Sequence, residues 1–212
     1  MDITFNVASG RIVANFHKND NPDAPIAFVF HDALEAGGNM KDMAVATLFL
    51  AFAQNGFSVM RFNFNPSDDK RPDMEKGEAE LTEASAAIDW LQARLENASG
   101  LWLAGVGFGA WIAMQVLMRR VEAMGYVSLY PDAKKGDWTF FSPVPVDGML
   151  IGSEAVPGAG EEAMGELLKF INKQKTAKAQ LAMVADAKDY KSIYRSVDAY
   201  LKTRKVAASK AA

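Results

Sequence analysis

Short apolar runs alternate with helix-like segments along nearly the whole chain, and few folds accommodate that pattern. The runs are Ile26–Phe30, Phe57–Phe62, Leu101–Ala104, Gly125–Tyr130, Gly148–Ile151 and Gln180–Val184. Continuous apolar stretches of this length suit parallel strands buried on both faces. Between them, helical patterns cover Lys41–Gln54, Gly77–Leu95, Gly109–Arg120, Gly160–Lys173 and Tyr190–Arg204. In the second helix Leu81, Ala84, Ile88 and Leu91 recur at helical spacing, with Glu78, Glu80 and Glu83 placed on other faces. Ahead of this series, Ile3–Val7 and Arg11–Phe16 flank Ser9-Gly10 and read as a hairpin. Strand then helix, five times over, predicts an α/β fold: a mostly parallel, doubly wound sheet of about eight strands flanked by helices. A single domain over residues 1–205 is expected, with a flexible C-terminal tail at 206–212.

Composition removes several chemistries. The 212 residues include no cysteine, so disulfides, thiolate nucleophiles and cysteine-ligated zinc are excluded. The two histidines, His17 and His31, both fall in the first 31 positions. A net charge of −3, from 23 Lys+Arg against 26 Asp+Glu, argues against a nucleic-acid partner. No apolar stretch reaches the roughly 18 residues of a membrane span, and no signal segment is apparent; a soluble, cytoplasmic protein is expected. Charge is nonetheless uneven. Residues 164–212 hold 11 Lys+Arg and 4 Asp+Glu, a local +7 against −10 for the remainder. Solvated basic helix faces explain this; a partner surface is the sharper alternative.

One segment carries chemical information. Leu101-Trp-Leu-Ala-Gly105-Val-Gly107-Phe-Gly109-Ala-Trp111 reads strand, Gly-x-Gly-x-Gly, helix. That is the context of a nucleophile elbow, where Gly-x-Ser-x-Gly turns sharply and lifts its serine to the top of the sheet. Gly105 and Gly109 stand where small residues let strand and helix approach, but the central position is Gly107. A dinucleotide fingerprint using Gly105, Gly107 and Ala110 is the rival reading. It fits poorly, because the motif lies in mid-chain and Glu122 and Asp132 only bracket the acidic position it needs.

Six segments in order then resemble a known family. They are Ala24-Pro25-Ile26-Ala27; His31 with Gly37-Gly38-Asn39; Gly56-Phe-Ser-Val-Met-Arg-Phe-Asn-Phe64; Gly77-Glu-Ala-Glu-Leu81; Asp89-Trp90-Leu91; and Ala104-Gly-Val-Gly-Phe-Gly-Ala-Trp111. The chain resembles the small, lidless bacterial α/β-hydrolases related to dienelactone hydrolase, over nearly its whole length. The resemblance implies an α/β-hydrolase fold without a lid domain, and ester or related acyl hydrolysis by a Ser-Asp-His triad. At each implied triad position this chain differs. Gly107 stands for the serine. Gly152-Ser-Glu154-Ala-Val-Pro157 replaces the stretch carrying the acid, leaving Glu154. Ala185-Asp-Ala-Lys-Asp189-Tyr190 puts Asp189 at the histidine position. The loop after Asn63 is altered to Asn65-Pro-Ser-Asp68-Asp69.

The chemical consequence is direct. A hydroxyl attacks only when a base with a pKa near working pH removes its proton. Glycine offers no attacking atom, and a carboxylate of ordinary pKa about 3.9 is a far weaker base than imidazole. Glycine also relieves the strain of the elbow, on the order of 1–3 kcal/mol, without a Cβ clash. The expectation is a catalytically inactive homologue acting as a binding or assembly subunit. The alternative is a hydrolase working on a small ester-like substrate through Asp189 or Glu154.

The remaining candidates are ligand-pocket residues. His31, at the end of a strand, reads as a structural tie ahead of a pocket donor; His17 reads as exposed. His31, Asp32, Gly107, Phe108 and Asp189 are expected to border a vestigial pocket. The amides of Phe108 and Gly109 open a helix there and could attract an anion. Asp32, Asp68, Asp69, Asp132, Glu154, Asp186 and Asp189 gather near strand ends but without metal-ligand spacing, so no metal or cofactor is expected. Trp102 and Trp111 read as core. Trp138-Thr-Phe-Phe-Ser-Pro-Val-Pro145 reads as an apolar pocket wall or an interface patch. A protein partner, a homo-oligomer or a small-molecule ligand are the expected associations.

Overall fold

The computed structural model describes residues 1–8, 10–65, 77–134, 138–141, 144–173 and 177–211, with side chains in the last helix through Arg204. Eight strands form one sheet: β1 (Asp2–Val7), β2 (Gly10–His17), β3 (Ile26–Phe30), β4 (Ser58–Phe62), β5 (Leu101–Val106), β6 (Ala123–Leu129), β7 (Gly148–Gly152) and β8 (Ala179–Met183). Their order across the sheet is β1-β2-β4-β3-β5-β6-β7-β8. The β1–β2 and β2–β4 pairs are antiparallel, and every pair from β4 to β8 is parallel. The sheet is therefore mixed and mostly parallel, as expected of alternating strands and helices.

Burial explains which strands sit where. All five residues of β3 and all six of β5 are buried, as the centre of a sheet covered on both faces requires. In β2, by contrast, Ile12, Ala14 and Phe16 are buried while Arg11 and Val13 are exposed. That alternation marks a strand with one covered face.

Five helices flank the sheet: α1 (Met43–Gln54), α2 (Glu78–Gln92), α3 (Phe108–Leu117), α4 (Glu161–Ile171) and α5 (Tyr190–Ala211). Helix α1 packs on α5 and over β3, β4 and β5; α3 packs on α2 and over β3, β5 and β6. Strand β5 separates the two layers. Trp102 meets Phe52, Phe57 and Tyr200 on the α1–α5 side. Three positions on, a side chain at Gly105 would point to the other face and strike α3.

Helix α5 continues through Ala211. Ala207, Ala208, Lys210 and Ala211 are residue types of high helix propensity, and nothing in the sequence stops the helix. Glu83, which lies off the apolar stripe of α2, is nonetheless only 2% exposed. Its two carboxylate oxygens accept from the Asn65 backbone and side-chain amides, both at 2.9 Å, which satisfies a buried acid that would otherwise be costly. The expected hairpin turn at Ser9 and the acidic loop at Asp68 and Asp69 lie outside the described residues. Among the described residues no helix is long and apolar enough to cross a membrane.

Candidate functional site

The C-terminal ends of parallel strands form the edge where α/β folds place ligands, and here β3, β5, β6, β7 and β8 all end on one side. At the middle of that edge the chain turns from β5 into α3 at Gly107, which has φ 54 and ψ −117. This is backbone that an L side chain adopts only under strain. The turn is locked by close packing. A Cβ on Gly105 would lie within 2.5 Å of the Gly109 carbonyl and the Ala110 nitrogen, and one on Gly109 within 2.5 Å of the Phe30 and His31 carbonyl oxygens. The two flanking glycines therefore serve the approach of helix to strand that the motif predicts.

Asp32, two residues beyond β3, lies against this apex. Its Oδ1 accepts the Phe108 N–H at 2.8 Å and the Ala33 N–H at 2.8 Å. A Cβ built on Gly107 would fall within 2.5 Å of both its carboxylate oxygens. So the carboxylate occupies the volume a side chain at 107 would need.

His31 is fully buried and wholly engaged. Its Nε2 accepts the Phe64 N–H at 3.0 Å, so Nδ1 carries the proton and donates to the Asp32 carbonyl at 2.6 Å. The ring also packs on Phe64, with centroids 4.9 Å apart. It ties the end of β3 to the end of β4. Burial holds the imidazole below its ordinary 6.5, outweighing the Asp32 backbone hydrogen bond and the charges of Asp42 and Asp32. The unfolded chain therefore takes up the proton first. Stability conferred by neutral His31 is complete above about pH 6.5 and is lost as pH falls through the lower folded value. Urea titrations at pH 7.5 and 5.5 should show this loss, and His31→Gln, which can mimic both hydrogen bonds, should reduce it. An equal loss in that variant would remove His31 as its source.

The other two carboxylates of interest are occupied elsewhere. Glu154, after β7, accepts the Glu161 N–H at 2.7 Å and caps α4. Asp189, after β8, accepts the Ser192 N–H at 3.0 Å and caps α5. Hydrogen bonds from Ser192, then the charge of Arg195, hold the Asp189 carboxyl below its usual range. Asp186 accepts from the Lys188 amide, and Asp132 from the Lys134 amide. Among the described residues no three acidic or histidine side chains converge as a metal site. The structure thus brings His31, Asp32, Gly107 and Phe108 together and turns Asp189 toward its own helix.

Sequence reasoning passed over Tyr130. It follows β6 directly at φ 53, the one non-glycine residue described with positive φ, and its hydroxyl donates to the Ala187 carbonyl at 3.1 Å. Burial, then the charges of Tyr190, Asp186 and Asp189, pushes its phenol up to about 12. The peptide before it matters too, since the Gly107 N–H donates to the Leu129 carbonyl at 2.9 Å. No local sequence pattern signals a left-handed tyrosine.

The aromatic stretch at 138–145 divides. Phe141 is fully buried against Tyr126, and Phe140 packs edge-on against Trp111. Trp138, with Ala133, Lys134, Leu167 and Phe170, lines a cavity of about 330 Å³ between α4 and the segment after β6. Ser142 and Pro143 lie outside the described residues. Trp102 is buried in the core, as expected, whereas Trp111 is only partly buried and packs against Phe108 and Phe140.

An eight-stranded sheet with a sharp, glycine-flanked turn between its central strand and α3 is the scaffold of an α/β-hydrolase. Comparisons with known proteins agree. A protein of unknown function from Agrobacterium tumefaciens, described as a candidate α/β-hydrolase, is 30% identical; the match covers 98% of this chain and 97% of that one, with a TM-score of 0.88. The chain belongs to the α/β-hydrolase family. A serine hydrolase homologue from Coxiella burnetii (19% identity, covering 95% of this chain and 97% of that one, TM-score 0.78) shares the fold. So does a serine hydrolase without a lid from Xanthomonas campestris (20% identity, 96% and 94%, TM-score 0.79). An uncharacterized protein of Rickettsia prowazekii is 36% identical over 152 residues, which are 70% of this chain and 64% of that protein. The match therefore spans less than two thirds of that relative's length. No protein-family model matches the chain.

Proposed function

We propose that this protein is a catalytically silent member of its family, serving as a binding or assembly subunit. The observation that carries the reading is Gly107: the apex keeps elbow geometry but bears no attacking atom. Two further features support it. His31, a histidine near the apex, spends both ring nitrogens on backbone groups. Glu154 and Asp189, the carboxylates available for an alternative base, each hold a helix N-terminus. A carboxylate pulled below its ordinary range is a weaker base still, which counts against hydrolysis through Asp189.

Two measurements test the reading. A fluorophosphonate probe should label no serine stoichiometrically, and p-nitrophenyl acetate should turn over no faster than in buffer. Stoichiometric labelling at the sheet edge, or turnover abolished by Asp189→Asn, would refute silence. The assembly role is tested by affinity purification from the native host, which should return a partner in fixed stoichiometry; a chain recovered alone would count against it.

A further inference from the structure

We propose that Asp32 is a built-in anionic ligand of the elbow, seated on a donor pair that would otherwise accept a small external carboxylate. The inference rests on reading Gly107 as non-catalytic and extends it to what the crevice binds.

Three observations converge on one carboxylate. First, Oδ1 receives two backbone N–H groups from separate parts of the chain, Ala33 on the loop after β3 and Phe108 at the start of α3, each at 2.8 Å. The first amides of a helix have no partner within it, and the helix dipole favours negative charge at that end. Second, the carboxylate lies across the apex, where a Cβ at 107 would come within 2.5 Å of both oxygens. A side chain at 107 and Asp32 in this position are mutually exclusive. Third, Asp32 is held from behind: its own carbonyl accepts the His31 Nδ1–H at 2.6 Å, and His31 is fixed in turn by Phe64. The peptide that aims the carboxylate is therefore anchored in the core.

The two amides can serve one anionic oxygen at a time. While Asp32 occupies them, the pair is closed to an acyl oxygen or a small carboxylate. Removing the Asp32 side chain leaves both donors facing a space the size of the lost carboxylate, and formate matches that space and charge.

The experiment compares wild type, Asp32→Ala and Asp32→Asn in formate, with chloride at equal ionic strength as the control. In Asp32→Ala, formate should shift the backbone amide resonances of Phe108 and Ala33 saturably. It should also raise Tm by about 3–5 °C at ten times its half-saturating concentration. Wild type and Asp32→Asn, which keeps an oxygen acceptor in place, should show neither change. Formate that leaves both amides of folded Asp32→Ala unmoved overturns the proposal, as does an equal response in wild type. Should Asp32→Ala not fold, amide exchange in the wild type decides. The Phe108 amide must then be protected and indifferent to formate, and rapid exchange overturns the proposal. Ester turnover by wild type would refute catalytic silence while leaving the formate result standing, so the two readings fail separately.

Discussion

Gly105→Ala is expected to cost about 3 kcal/mol, at the top of the range for overpacking a core. The added methyl would meet the Gly109 carbonyl and the Ala110 nitrogen within 2.5 Å. These are backbone atoms of the turn itself, so no side chain can rotate away to make room. Relief requires α3 to lift from β5, and α3 also packs on β3 and β6. Gly165 is the matched control. It lies within α4 and a Cβ there meets nothing within 4 Å, so Gly165→Ala should stabilise by about 0.5–1 kcal/mol. Urea midpoints of the two variants should move in opposite directions. A loss below about 1 kcal/mol for Gly105→Ala would mean that helix and strand are less tightly pressed than described.

Gly107→Ala should cost roughly 2–4 kcal/mol, from two separable sources. One is the dihedral pair φ 54, ψ −117, worth about 1–3 kcal/mol for a non-glycine residue. The other is collision with the Asp32 carboxylate. A double-mutant cycle separates them, because in an Asp32→Ala background only the dihedral cost remains. The cost of Gly107→Ala should fall by about 1 kcal/mol or more in that background. Strict additivity would show that Asp32 yields freely to a side chain at 107. By the same reasoning Gly107→Ser alone should not create an esterase: the hydroxyl would displace Asp32 and still find no free imidazole beside it.

Much of this architecture was legible because it depends on patterns that repeat. The runs at Ile26–Phe30 and Leu101–Ala104 read as strands covered on both faces, and the glycines at 105 and 109 marked a close strand–helix approach. Position 107 was legible as an elbow apex for the same reason. The occupant of that apex was not, because Asp32 is 75 positions away and only the β3–β5 pairing brings the two segments together. The burial of Glu83 was not legible for a related reason. Helical spacing places a residue on a face, but Asn65, from a loop, decides that this face is closed. The caps at Glu154 and Asp189 combine both situations: Asp189 stands directly before its helix, whereas Glu154 reaches α4 from seven residues upstream.

Helix α1 also bears on how the chain is made. Its twelve residues include no charge, and its main helical neighbour is α5. Asn55 Nδ2 donates to Asp198 Oδ1 at 2.9 Å across 143 positions, and Gln54 accepts from the Tyr194 hydroxyl. During synthesis α1 is therefore complete long before its cover exists, by on the order of ten seconds at ordinary elongation rates. An uncharged helix without its cover is the kind of surface that chaperones bind and that seeds aggregation. Helix α5 thus supplies the cover of α1 late, and translation arrest before residue 190 would leave α1 without it.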